Sequence, residues 1–273
     1  MGQFQHIAAL GSSFAAGPGI APIEHRAAQR SARNYPHLLA ERFGACLTDL
    51  TTSGATTSTV LDKPQHFLGH RFPPQLSQLP TSADLVTITV GGNDLHYSAS
   101  TLRFGLSGRL AHPSCVAART ATRPLAALLT RGGVPVPAAD DVERVASNLA
   151  RVVHGVRRRA SNARVVLVDY LTVLGPHLRH DRHTPFDPDT AERLRQLGES
   201  VAAMFSRAAA LSEAELVAVS ARSRDHGADS PQPWVSAMPD RLHRVFRTVP
   251  YHPNAAGMRA IADAVTEQLT ADR

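Results

Sequence analysis

Five short apolar runs alternate with longer amphipathic segments along the chain, and this alternation limits the possible folds more than any other feature. The runs have the length and aliphatic composition of buried strands and lie at residues 6–10, 46–50, 85–90, 165–168 and 216–219. Helical spacing of apolar residues is present at residues 33–43, 141–160, 189–211 and 255–269. Strands that alternate with helices form parallel sheets covered on both faces. We therefore predict an α/β protein, a three-layer α/β/α sandwich around a central, mostly parallel, five-stranded sheet.

Two segments rich in Pro, Gly, His and Arg interrupt the alternation, at residues 95–139 and 221–251. Connections of this length inside a compact domain are commonly functional loops. We expect a single domain over residues 1–273 in which both segments are long loops that form the walls of a pocket. The residues that would line an apolar wall, or that would equally anchor the first loop to the core, are Leu95, Tyr97, Leu102 and Phe104.

Charge and cysteine content narrow the class of protein. The formal net charge is +6, but the basic residues are scattered and aromatic residues make up only 5% of the chain, so we expect no nucleic-acid partner. No apolar run approaches the ~20 residues that cross a bilayer, and the N-terminus lacks the pattern of a signal peptide. Because there are only two cysteines, Cys46 and Cys115, we expect a cytoplasmic protein, although a mature secreted protein would have the same composition. The sequence does not indicate an oligomeric state.

Polar, glycine-bearing segments follow the first three predicted strands. They are GSSFAAG at residues 11–17, TTSGATT at 51–57 and GGND at 91–94, and a fourth segment, YHPN at 251–254, precedes the last predicted helix. Ligands of open parallel sheets lie at the carboxyl ends of the strands. We therefore expect all four segments to meet at one edge of the sheet.

The residue types in these segments are those of an acyl-transfer site. Ser13 offers a hydroxyl nucleophile and His252 an imidazole base. Gly54 can present its backbone N–H without an obstructing Cβ, Asn93 adds a side-chain amide, and the Ser13 N–H is a third donor. Donors of this kind form an oxyanion hole, which stabilises the tetrahedral intermediate of acyl transfer.

The order Ser13, Gly54, Asn93, His252 resembles that of the SGNH hydrolases, also called GDSL esterases and lipases. The flanking residues SGAT at 53–56, GGND at 91–94 and HPNAAG at 252–257 are similar to sequence blocks of that family, so the resemblance spans residues 7–257. It implies a flavodoxin-like domain that hydrolyses carboxylic esters through an acyl-enzyme. It also implies a small-molecule or lipid ester as substrate and no metal or organic cofactor.

The chain departs from the family pattern at two positions. The family's first block is usually Gly-Asp-Ser, whereas Ser12 holds the middle position here, and the resemblance selects Ser13 rather than Ser12 as the nucleophile. The family usually places Asp three residues before the histidine, where this chain has Val249. We expect a Ser-His dyad in which the backbone carbonyl of Val249 orients His252. The open alternative is a carboxylate from the preceding loop, namely Asp225, Asp229 or Asp240.

The histidine clusters and the four site residues allow other interpretations. Histidines recur at positions 177, 180 and 183 and at 66 and 70, but no carboxylate or cysteine pattern completes a metal site, so we expect no metal there. The same four residues could serve an acyltransferase, in which an alcohol replaces water. A non-catalytic binding module on the same fold is the third possibility.

Overall fold

A five-stranded sheet forms the centre of the computed structural model, which describes residues 3–112, 119–176 and 178–271. Numbered in chain order with the strands of the two hairpins described below, its strands are β1 (His6–Gly11), β4 (Cys46–Asp49), β7 (Leu85–Thr89), β8 (Arg164–Val168) and β9 (Glu215–Val217). The strand order is β4-β1-β7-β8-β9, and all four pairings are parallel. Each strand begins and ends within two residues of a predicted run, so the predicted sheet is confirmed.

Helices cover the sheet in the three-layer arrangement predicted from the sequence. The helices are α1 (Ser13–Ala16), α2 (Tyr35–Phe43), α3 (Thr57–Leu61), α4 (Gln75–Gln78), α5 (Tyr97–Ala111), α6 (Arg119–Thr130), α7 (Ala139–Arg159), α8 (Pro188–Ser212), α9 (Val219–Arg222), α10 (Val245–Thr248) and α11 (Ala255–Thr270), with a 3₁₀ turn at Leu242–Arg244. The helix α2 packs against α11, while α7 packs against α8 in a second group.

Local chemistry sets the ends of the long helices. The side chain of Asn34 accepts a hydrogen bond from the N–H of His37 and so caps α2. Asp187 caps α8 in the same way, and Asn254 caps α11 by accepting from the N–H groups of Ala256 and Gly257. The strand β7 is buried along its whole length and β8 at every residue after Arg164, as expected of parallel strands between two helical layers.

The prediction of a long loop over residues 95–139 is wrong, because α5 and α6 occupy most of it. The helix α5 contains glycines that weaken the helical signal in the sequence. Its packing requires them: a Cβ at Gly105 would lie 2.3 Å from the ring of Tyr251, and one at Gly108 would lie 1.8 Å from the carbonyl oxygen of Pro185. Tertiary packing therefore overrides local propensity in this segment. Residues 221–251 form only short helical turns and irregular chain.

Two small hairpins, which the sequence did not predict, lie in the connections that follow β1 and β4. In the first, β2 (Ile23–His25) pairs with β3 (Arg30–Ser31), and in the second, β5 (Gln65–Phe67) pairs with β6 (His70–Phe72). The second hairpin turns through two residues, Leu68 and Gly69, whose φ angles are 47° and 76°. Positive φ at both positions identifies a type I′ turn.

Candidate active site

The four polar segments meet at the carboxyl edge of the sheet, as predicted from the strand order. Ser13 is the first residue of α1, directly after β1, and is only 4% exposed. Its Oγ lies 3.0 Å from Nε2 of His252, although the two residues are 239 positions apart in the sequence. The structure thus brings the hydroxyl and the imidazole within hydrogen-bond distance.

The neighbouring serine has a different partner. The Oγ of Ser12 lies 2.6 Å from the hydroxyl of Tyr170, and Ser12 is fully buried. Its N–H donates to the carbonyl of Thr89 at the end of β7. Of the two adjacent serines, only Ser13 faces the imidazole.

A backbone carbonyl orients the imidazole, but it belongs to a different residue from the one predicted. The Nδ1 of His252 lies 3.0 Å from the carbonyl oxygen of Pro250, so the prediction of Val249 is wrong by one position. Val249, which directly follows α10, has φ 40° and Tyr251 has φ 61°. Both residues that flank Pro250 are thus left-handed, and between them the carbonyl of Pro250 faces the ring. Because a carbonyl only accepts, Nδ1 carries the proton and the lone pair of Nε2 faces Ser13.

The alternative of a carboxylate partner for His252 has no support in the geometry. Asp229 accepts from the N–H of Arg179, and Asp240 forms an ion pair with Arg182 at 3.1 Å. Within residues 3–112, 119–176 and 178–271, no carboxylate, that of Asp225 included, lies within hydrogen-bond distance of Nδ1 of His252.

Burial and backbone pairing fix the histidine. His252 is 6% exposed, and its ring lies 5.3 Å from that of Phe14. Burial lowers the pKa of His252, and the hydrogen bond to Pro250 offsets part of that effect. The carbonyl of His252 accepts from the N–H of Ser236, and the N–H of Asn254 donates to the carbonyl of Trp234. These bonds hold the segment that carries the imidazole against an adjoining loop.

The predicted oxyanion donors surround the same edge. Gly54 is exposed with φ 79°, a conformation that favours glycine. The Nδ2 of Asn93 donates one hydrogen to the carbonyl of Ala55 at 2.8 Å, which orients the amide and leaves its second hydrogen available. Within the described part of the chain, the N–H groups of Ser13 and Gly54 have no acceptor.

Asp94, which follows Asn93, has a structural place. Its carboxylate accepts from the N–H and from the hydroxyl of Thr57, the first residue of α3, at 3.0 and 2.6 Å. The residue thereby joins the segment after β7 to the segment after β4 and holds Asn93 near Gly54.

Tyr170 is a residue of this region that the sequence analysis missed. Its ring stacks on Phe14 at 4.2 Å between centroids, its hydroxyl hydrogen-bonds Ser12, and the ring packs so closely on Gly92 that a Cβ there would lie 2.4 Å from it. Burial raises its pKa well above the ordinary value, so the hydroxyl stays protonated. Tyr170 stands two residues beyond the end of β8, and this position at the same sheet edge was the signal that could have identified it.

Tyr170 also lines a cavity of about 280 Å³. Its walls include the apolar side chains of Leu171 and Val173, with Arg195 and Arg224 among the polar lining residues. Among the four predicted wall residues, Tyr97 lines this cavity, whereas Leu95 and Phe104 are buried in the core and Leu102 packs against it. The lining of this cavity includes none of Ser13, Gly54, Asn93 and His252, so a substrate pocket with walls from this segment stays a prediction.

One group of potential metal ligands occurs within the described residues, formed by Glu24, His37 and Asp49. The guanidinium of Arg30 lies 3.5 Å from Asp49 and 3.7 Å from Glu24, and it donates to the carbonyl of Thr51. A cation of the protein itself thus lies beside both carboxylates and offsets part of their charge. The group joins the first hairpin to the end of β4.

Two histidines of the cluster at 177, 180 and 183 have backbone partners. Nδ1 of His180 lies 2.6 Å from the carbonyl oxygen of Phe186, and Nδ1 of His183 lies 2.9 Å from that of Met238. His177 lies outside the described residues.

Over residues 3–112, 119–176 and 178–271, no helix has both the length and the apolar character needed to cross a membrane.

Comparisons with known proteins agree with the motifs. The model of the GDSL-like lipase/acylhydrolase family matches residues 9–260. Lipase 2 of Streptomyces coelicolor is 31% identical over 282 residues, which cover 97% of this chain and 85% of that protein.

Two solved structures show the same fold. Phospholipase A1 from Streptomyces albidoflavus NA297 has a TM-score of 0.70 at 21% identity, covering 97% of this chain and 99% of that one. An extracellular lipase from Streptomyces rimosus has a TM-score of 0.67 at 22% identity, covering 96% and 99%. Because the family model matches most of the residues and includes the segments that carry Ser13, Gly54, Asn93 and His252, the chain belongs to the GDSL-like lipase/acylhydrolase family and is a carboxylic ester hydrolase of the SGNH type.

Proposed function

We propose that this protein hydrolyses lipid esters through a covalent acyl-enzyme, with Ser13 as nucleophile and His252 as general base in a Ser-His dyad. The observation that carries the proposal is the 3.0 Å separation between Oγ of Ser13 and Nε2 of His252. That distance allows direct proton transfer from the hydroxyl to the imidazole.

In the first half-reaction, Oγ of Ser13 attacks the ester carbonyl while Nε2 of His252 takes its proton. The tetrahedral intermediate then collapses, and the imidazolium gives that proton to the leaving alkoxide. In the second half-reaction, His252 takes a proton from water, the hydroxide attacks the acyl group, and the proton returns to Ser13 as the acid leaves. The carbonyl of Pro250 keeps the proton on Nδ1 and stabilises the imidazolium in both halves.

Three donors would hold the negative charge that develops on the carbonyl oxygen. They are the N–H of Ser13, the N–H of Gly54 and the second amide hydrogen of Asn93. Support for this assignment comes from the free backbone donors within the described residues and from the hydrogen bond that orients Asn93 on Ala55. Pre-oriented donors of this kind need no reorganisation as the charge forms.

A lipid ester is the proposed substrate class because the relatives with the same fold are named lipases and a phospholipase A1. A panel of soluble p-nitrophenyl esters that differ in acyl length tests it. We expect kcat/KM to rise with the length of the acyl chain. A preference for acetate esters would contradict the proposed class while leaving the esterase chemistry intact.

The adjacent serines offer a matched control for the nucleophile. A serine-directed fluorophosphonate should add one label per chain by intact mass, and Ser13→Ala should abolish both labelling and ester hydrolysis. Ser12→Ala should still be labelled, because Ser12 is buried against Tyr170. Loss of the label in Ser12→Ala but not in Ser13→Ala would reverse the assignment. An acyl group passed to an added alcohol rather than to water would identify an acyltransferase.

A cytoplasmic location stays a prediction from composition, whereas the relative from S. rimosus is described as extracellular. Fractionation of a culture that produces the chain distinguishes the two. The prediction requires the Ser13-dependent esterase activity in the cell lysate, and activity mainly in the medium would contradict it.

A further inference from the structure

The two hairpins form one continuous surface beside Gly54, which we name the hairpin face. It comprises residues 23–33 and 62–72. The N–H of Ser53 donates to the carbonyl of Ala28 in the first hairpin, and Nε2 of Gln65 in the second hairpin donates to the carbonyl of Ser53. The rings of His25 and Phe72 contact each other at 5.8 Å between the two hairpins. Both hairpins are therefore anchored to the loop that carries Gly54.

Leu68 stands at the tip of the second hairpin in a conformation that does not suit leucine. Its side chain is 60% exposed, and its φ angle of 47° is the left-handed value that the type I′ turn requires. Asn, Asp and Gly are the residues that this turn favours, and a bulky apolar residue is strained there. Neither core packing nor turn geometry accounts for a leucine at this position. Ile23, on the other hairpin, is 41% exposed.

Unpaired cations lie on the same two segments as these apolar side chains. Arg26, Arg33, Lys63 and Arg71 are exposed, and no carboxylate in the described part of the chain lies within ion-pair distance of any of them. Arg30 is different, because its charge is taken by Glu24 and Asp49. The hairpin face thus combines two exposed apolar side chains, one at a hairpin tip and one at the start of β2, with a surplus of free positive charge.

We propose that the hairpin face docks on the surface of a lipid aggregate that carries anionic headgroups. Leu68 and Ile23 enter the boundary between headgroups and acyl chains, and the four free cations contact the phosphates. The apolar part consists of isolated side chains, which cannot form the continuous apolar core of a stable protein interface of ~800 Å² per partner. An anionic lipid surface needs no such core and complements the free positive charge, so it is favoured over a protein. Docking would bring the Gly54 side of the site towards the lipid, and in this respect the inference rests on the proposed lipid-ester substrate.

Vesicle co-sedimentation of the full chain in a Ser13→Ala background measures docking without hydrolysis. Vesicles of phosphatidylcholine alone are compared with vesicles that also contain phosphatidylglycerol. We expect stronger partitioning to the anionic vesicles and a loss of that preference at high salt, because salt screens exposed charges. In Lys63→Gln/Arg71→Gln, the preference for anionic vesicles should fall while weak binding to phosphatidylcholine remains.

Leu68→Asn is the decisive variant, because asparagine suits the turn while lacking the apolar side chain. We expect its partition constant between water and vesicles to fall by about tenfold or more. This is the effect expected when one leucine side chain is no longer transferred from water to an apolar phase. Its melting temperature should equal or exceed that of the parent, and its turnover of a soluble short-chain ester, measured with Ser13 restored, should be unchanged. The matched control is Leu211→Asn, at the 37% exposed Leu211 in the last turn of α8 near the amino end of β9. It should bind vesicles like the parent.

Three outcomes would overturn the inference: no vesicle binding by the parent, equal binding by Leu68→Asn and the parent, or a concentration-dependent dimer that Leu68→Asn disperses. The last outcome would assign the face to a second copy of the chain. None of these results depends on turnover, so they are separable from a failure of the proposed function, which the Ser13 labelling and ester panel test.

Discussion

Tyr170→Phe removes a single hydroxyl from the buried contact between the segment after β8 and the residue that precedes Ser13. In the parent, the phenol oxygen lies 2.6 Å from Oγ of Ser12, and the ring packs on Gly92. Both side chains are almost fully buried, so the variant leaves the Ser12 hydroxyl without a partner and without water. An unsatisfied buried hydroxyl costs about 1–3 kcal/mol, and we expect the free energy of unfolding to fall by that amount. The value of kcat should fall as well, because Ser12 and Gly92 adjoin Ser13 and Asn93.

A double-mutant cycle separates this hydrogen bond from other effects of the substitution. Ser12→Ala alone should also lower the free energy of unfolding, because it leaves the buried phenol hydroxyl without this partner. In Ser12→Ala/Tyr170→Phe both partners are gone, and we expect the double variant to be more stable than Tyr170→Phe alone. Urea denaturation measures the free energies, and steady-state hydrolysis of a soluble ester measures kcat and KM. Strictly additive losses, or a Tyr170→Phe variant identical to the parent in both assays, would refute the reasoning.

Three further predictions concern single groups. Because burial lowers the pKa of His252, the acid limb of kcat/KM should have its midpoint below the ordinary ~6.5, and a midpoint at or above that value in a pH-rate profile would contradict it. Asn93→Ala should lower kcat by about 10²–10³-fold in steady-state assays while remaining folded by circular dichroism, and an unchanged kcat would exclude the amide as an oxyanion donor. Burial raises the pKa of Asp169 from 3.8 to about 6, so the stability contributed by its protonated form is present below pH 3.8 and is lost as the pH rises through 6. Asp169→Asn should flatten the decline in unfolding free energy between pH 4 and 7, and a parallel decline in both proteins would show that another group is responsible.

The predictability of the fold differed from element to element for physical reasons. The strands β1, β7 and β8 are buried on both faces, so nearly every position in them must be apolar, and such runs are visible in a single sequence. The helices α8 and α11 begin after Asp187 and Asn254, whose capping side chains mark the start. In contrast, α5 contains Gly105 because the ring of Tyr251 leaves no room for a Cβ. The reason for this glycine lies in a residue far away in the chain, so the local sequence pattern does not reveal it.

The same distinction explains which parts of the site the sequence could reveal. Ser13 and Asn93 offer chemistry through their side chains and follow strand ends, so residue type and strand order together predict where they lie. The partner of Nδ1 of His252 is a backbone oxygen, which every residue possesses, and its identity depends on two left-handed residues around Pro250. Valine and tyrosine rarely adopt a positive φ, so neither Val249 nor Tyr251 indicates this conformation in the sequence. A family spacing rule based on an aspartate side chain therefore selected the wrong position once the aspartate was absent. The direction of the backbone, rather than the spacing, decides which carbonyl reaches the ring.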